Sequence, residues 1–128
     1  RCLEFRRVLV RSFHTQYQDE GWPKFGYECQ VNVSHTDPKK TSSLYGVDNV
    51  ADPGVKDNEW YTQEIIVKGR RIQLKVNGET LVDHTEPENK EAESAQFERR
   101  LGEGTFALQA HDPKSKVYFR NIRVKKID

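Results

Sequence analysis

The chain has 128 residues, 32% of them charged and 34% hydrophobic, which suits one domain with a single modest core. Its 21 Lys and Arg against 20 Asp and Glu leave a net charge of +1, excluding a broad electrostatic hold on nucleic acid or an anionic membrane. No apolar run approaches the roughly 18 residues of a membrane span, no stretch has a signal-peptide pattern, and two cysteines cannot define a disulfide framework.

From Val8 the chain alternates, with Val8, Val10 and Ser12 on one side and Leu9, Arg11 and Phe13 on the other, which predicts a strand. Two readings of the preceding residues stand open. CLEFRRVL, residues 2 to 9, is either native or, as it resembles a translated cloning adapter, makes Arg1 to Arg7 a non-native leader before a domain spanning 8–128. His14 to Phe25 mixes Gly, Pro and polar residues without period and reads as a loop. Its Tyr17, Trp22 and Phe25 offer ring faces on which a ligand could stack; equally, Trp22 could pin the loop to the body.

Gly26 to Val33 (GYECQVNV) sets Tyr27, Cys29, Val31 and Val33 on a packed side and Glu28, Gln30 and Asn32 on a polar one, with Cys29 as an inert core thiol. Ser34 to Ser43 is a loop, Leu44 to Val47 a short strand carrying Tyr45, and Pro53-Gly54 and Asp57-Asn58 mark turns. Trp60 to Lys68 has apolar residues on both sides and reads as an inner strand covered at least partly on both faces. Ile72, Leu74 and Val76 then alternate with Arg71, Gln73 and Lys75 before Asn77-Gly78, the strongest short-range hairpin signal, because both central residues of a type I′ turn need positive φ. The charged outer residues make this hairpin a solvated convex surface.

His84 to Glu103 has the highest charge density and reads as a long exposed loop, either a functional rim or a variable insertion. Phe106, Leu108 and Ala110 alternate with Ala107, Gln109 and His111, Asp112 to Ser115 (DPKS) is a turn, and Val117 to Phe119 begins a second strand. The pair predicts a hairpin carrying Gln109 and His111 up one arm and Arg120 down the other. Glu28, Gln30, Gln109 and His111, with Arg11, Tyr45 and Arg120, could then converge on one concave sheet as a set of donors, acceptors and titratable groups.

GTFALQAHDPKSKVYFRNIRVKKI (104–127), together with GYECQV (26–31), LYGV (44–47) and WYTQEIIVKGRRIQLKVNGETLVD (60–83), resembles the 3-keto-disaccharide hydrolase domain family over roughly residues 8 to 126. The resemblance implies an all-β fold, an antiparallel β-sandwich of the concanavalin A-like jelly-roll type, with further strands expected upstream of residue 1. It also implies a carbohydrate partner, residence in the periplasm or outside the cell, and cleavage of 3-keto-glycosides. In such a sugar the ketone acidifies C2–H, so a base removes that proton, the C1 oxygen leaves and water adds to the enone. His111, whose imidazole titrates nearest neutrality, is the expected base. Glu28 is the second carboxyl group or, with His111, a ligand for a divalent metal; no HExxH or paired CxxC spacing is present, so a metal rests on the resemblance alone. Arg11 or Arg120 would stabilise the enolate and Gln30 and Gln109 would hold hydroxyls. Arg11 matches an arginine that follows an Asn-Ser-Gly segment in the family, where this chain has Arg6, Arg7 and Val8. The alternative is a non-catalytic carbohydrate-binding module on the same fold, or a fragment with neither activity.

Overall fold

Period-two alternation becomes strand along most of the chain. The computed structural model describes residues 2–5, 9–110 and 112–127, except the side chains of 2–5, 9–11 and 110. Among the described residues there are eight strands and no helix: β1 Cys2–Phe5, β2 Leu9–Thr15, β3 Tyr27–Val31, β4 Gln63–Lys68, β5 Arg71–Val76, β6 Glu79–Thr85, β7 Thr105–Ala110 and β8 Val117–Arg120. They form two antiparallel three-stranded sheets, ordered β3-β2-β7 and β4-β5-β6, and a β1-β8 pair.

The core joins the two larger sheets. Phe13, Tyr27 and Cys29 from the first pack with Ile72, Leu74 and Val82 from the second, and Leu44 fills the space beside them. A second cluster sets Phe119 of β8 against Val31 and Leu108. The expectation of an all-β antiparallel sandwich of jelly-roll type therefore holds. The β5–β6 hairpin is also as predicted, with Asn77 at φ 50 and Gly78 at φ 81. Its outer surface is solvated, and Arg71 pairs there with Asp83 at 2.6 Å.

Several elements differ from the sequence reading. β7 and β8 do not form a hairpin: β7 pairs with β2 and β8 with β1, because the 112–115 turn carries the chain to another sheet, where Phe119 can reach the core. Leu44 makes single bridges to Cys29 and Asp48 rather than a strand, since residues 44–48 close a tight turn in which Leu44 and Asp48 exchange backbone hydrogen bonds. β4 is bonded only to β5 among the described strands, and Glu64 and Lys68 are exposed, as befits a sheet margin. Gln30 and Asn32 are buried rather than solvated, because residues 41–43 run alongside β3 and bond to its backbone.

Leu74 lies at the centre of this arrangement with 0% exposure. Leu74→Ala should cost about 2–5 kcal/mol through lost burial and the cavity left behind. Its neighbour Lys75→Ala should stay within about 0.5 kcal/mol, both read from urea unfolding midpoints.

Candidate functional site

β2 lies between β3 and β7, and its register decides which side chains share a surface. One parity pairs Phe13 with Tyr27 and Phe106, and Arg11 with Cys29 and Leu108; Phe13, Tyr27 and Cys29 carry it into the core. The other parity aligns Ser12 with Glu28 and Ala107, and sets Gln30 and Gln109 both opposite Val10. As partners across an antiparallel ladder project the same way, Ser12, Glu28, Gln30 and Gln109 share the face turned from the core. Ser12 and Gln30 are buried in it, while Glu28 and Gln109 stay partly exposed.

The polar atoms of this face are under-used. Among the described residues, Ser12 Oγ, Gln30 Oε1 and Gln109 Oε1 are buried without a hydrogen-bond partner. Such an atom costs about 1–3 kcal/mol, so three on one face mark a place where the fold gives up stability. Glu28 adds a carboxyl group that burial pushes above its ordinary pKa of 4.5, with the Arg99 guanidinium pulling the other way.

Tyr45 forms the rim beside Glu28. Its backbone N–H donates to the Glu28 carbonyl at 2.9 Å and its hydroxyl donates to Asp37 Oδ2 at 3.3 Å. Burial raises its phenol pKa, and the negative charges of Asp37 and Glu28 raise it further. Lys39 Nζ sits 4.2 Å from the centre of its ring. Asn32 organises this rim: its Nδ2 donates to the carbonyls of Asp37 at 2.9 Å and Lys39 at 3.0 Å, and its Oδ1 accepts from the His35 N–H at 2.9 Å. His35 in turn approaches Asp112, with Nε2 3.8 Å from Oδ2, which links the rim to the far end of β7.

Of the residues singled out in the sequence, the structure therefore gathers Glu28, Gln30 and Gln109 on one face, with Tyr45 at its edge. His111 lies outside the described residues, as does the side chain of Arg11, whose backbone occupies the register position of Cys29 and Leu108. Arg120 is elsewhere, on β8, with its guanidinium 4.0 Å from the centre of the Trp60 ring. Sequence reasoning missed Arg99, Asp37 and a role for Ser12. The alternation of Val10 with Ser12 was the signal for the last, and nothing local pointed to the others.

Among the described residues no three His, Cys, Asp or Glu side chains gather to hold a metal ion. The charge acting on Glu28 is that of a cation, Arg99. His111, the other candidate ligand, lies outside the described residues.

Fold and face together define an antiparallel β-sandwich domain with a row of polar side chains on one sheet face. A family model described as a 3-keto-alpha-glucoside-1,2-lyase-like domain matches residues 10–125, and the chain belongs to that family. Membership ties the domain to carbohydrate chemistry. Comparisons with curated proteins and with solved structures found no significant match. Among the described residues no helix is long and apolar enough to cross a membrane.

The raised pKa of Glu28 has a defined effect on stability. A carboxyl that holds its proton more tightly folded than unfolded contributes fully below the ordinary 4.5, and that contribution is lost as pH rises through the raised value. Glu28→Gln removes this dependence. The stability of the wild-type protein relative to the variant should therefore fall as the pH is raised above the ordinary 4.5, measured as paired urea midpoints. A constant difference would show that Glu28 ionises as readily folded as unfolded.

Proposed function

We propose that this domain cleaves 3-keto-glycosides by β-elimination across C1 and C2, followed by addition of water. The observation that carries the reading is a partly buried carboxyl, Glu28, on the same sheet face as the partnerless polar atoms of Ser12, Gln30 and Gln109. Sugar hydroxyls donate and accept hydrogen bonds in nearly equal measure, so a polyhydroxylated ring can satisfy atoms that the protein leaves open.

The reaction divides among these groups. A base takes the C2 proton, the electron pair flows into the ketone to give an enolate, and its return expels the C1 oxygen, which must be protonated as it leaves. Water then adds at C1, so the net change is hydrolysis of the glycosidic bond. His111 is the base in this scheme and Glu28 the proton donor to the leaving oxygen. Burial suits a carboxyl to that task by keeping its proton on to higher pH. Gln30, Gln109 and Tyr45 hold hydroxyls and fix the ring. Arg11 or Arg120 is the cation at the enolate in the sequence reading; the Arg120 guanidinium lies 4.0 Å from the centre of the Trp60 ring, and the Arg11 side chain lies outside the described residues. In this reading the domain acts in the periplasm or outside the cell.

Turnover of a 3-keto-glucoside carrying a chromogenic leaving group tests the reading. His111→Ala and Glu28→Ala should each lower kcat roughly 100- to 10,000-fold, the usual worth of a positioned acid or base. Gln109→Ala should act mainly on KM. Saturable binding without turnover in the wild-type protein would replace this reading with that of a carbohydrate-binding module.

A further inference from the structure

We propose that Arg99 is the cation of the Glu28 site, held by Tyr45, Gly46 and Phe97 so that its guanidinium meets the substrate oxygen that becomes negative. The inference rests on the β-elimination reading and adds to it a cation whose surroundings are described. Arg99 comes from the charged 86–104 loop, far in sequence from Glu28 and Tyr45, and four features show that its position is built.

The backbone is the first. Arg99 has φ 45, a left-handed conformation that a non-glycine residue adopts only when its surroundings impose it. The second is its aromatic setting, with the guanidinium 6.0 Å from the centre of the Tyr45 ring and 5.4 Å from that of Phe97. The third is Gly46, whose φ of 73 favours glycine and whose bare backbone the arginine end rests against: a Cβ there would come within 2.7 Å of the guanidinium carbon and 2.8 Å of Nη1, so the guanidinium would have to shift. The fourth is its salt bridge, in which Nη1 reaches Glu93 Oε1 at 2.5 Å, although Glu93 is 43% exposed and Arg99 only 22%. An exposed ion pair is worth little and would not by itself explain a strained backbone and a glycine cradle.

The chemistry follows from the donor count. A guanidinium has five N–H groups in one plane, more than Glu93 takes up, and cannot lose its charge. As C2 loses its proton to the base, the electron pair moves onto the ketone oxygen, and a fixed planar donor stabilises that oxyanion more than the neutral ketone. Tyr45 connects the two, its ring 6.0 Å from the Arg99 guanidinium and its N–H bonded to the Glu28 carbonyl, and the charge of Arg99 acts on the Glu28 carboxyl.

The test compares wild-type protein with Arg99→Ala, Arg99→Lys and Gly46→Ala, all checked for folding by thermal melting, using the chromogenic 3-keto-glucoside. Arg99→Ala should lose roughly 100- to 1,000-fold in kcat with KM little changed, as when an oxyanion donor is removed. Arg99→Lys should recover part of the loss, and Gly46→Ala, which keeps the arginine but displaces it, should lose kcat as well. The limb of the pH–rate profile that Glu28→Gln abolishes should move to higher pH in Arg99→Ala, a change that a merely structural loss would not produce. Undiminished kcat in both Arg99→Ala and Gly46→Ala beside an active wild type would overturn the role of Arg99 alone. Absence of turnover by the wild-type protein would overturn the β-elimination reading and this inference with it.

Discussion

The pairing of β2 with both β3 and β7 is the constraint on which the rest depends. Each strand alternates sides every residue, so the demand that Phe13, Tyr27 and Cys29 meet Ile72 and Leu74 in the core also decides where their neighbours go. Ser12, Glu28, Gln30 and Gln109 are delivered to the opposite face without needing any contact with one another. A slip of one residue would turn Glu28 into the apolar interior, where an unpaired carboxylate is far more costly than any single lost packing contact. Core hydrophobicity thus fixes the register of the site, although no core residue belongs to it.

The polar groups of the molecule then fall into two kinds. Asn32 is buried and fully employed, its amide tied to three backbone groups that shape the 35–39 loop. Glu86 is buried and likewise occupied, accepting from the Tyr27 hydroxyl and the Leu101 N–H, each at 2.7 Å. Gln30, two residues before Asn32 on the same side of the chain, has no partner for its Oε1. No hydrogen bond reaches the Glu28 carboxylate among the described residues. Partnerless buried atoms also occur away from this face, at His14, Thr15 and His84, but three of them, with the carboxyl of Glu28, fall together on it.

Much of this was legible in the chain, and the boundary of what was legible has a physical cause. Period-two alternation in 27–31, 71–76 and 105–110 located the strands and their polar sides, and Asn77-Gly78 located a turn, because these signals depend on neighbours in sequence. The sharing of one face by Glu28, Gln30 and Gln109 followed from parity once the strands were assumed to pair. The destination of β8 was not legible, since Asp112 to Ser115 suits a tight hairpin and a crossing between sheets equally well. Nor was the burial of Gln30 and Asn32, which depends on residues 41–43 lying alongside β3. Leu44 and Tyr45 have strand composition, yet the backbone of 44–48 is used up in its own turn.

The 86–104 loop shows the same limit from the other direction. Its density of charge predicts solvation, and most of its residues are exposed. Yet it is fastened at several points: Glu86 holds Leu101, the Glu98 N–H donates to the Lys24 carbonyl at 2.9 Å, and Ser94 and Phe97 close a turn through their backbones. These ties remove the conformational freedom that an unanchored loop of this length would keep, and ordering a backbone costs about 1–2 kcal/mol per residue. What that ordering secures is a single arginine in a left-handed backbone, wedged over a glycine from a distant turn. A segment that looks like insertion in one dimension is, in three, the part of the fold whose positive charge acts on a carboxyl lying more than sixty residues away in the chain.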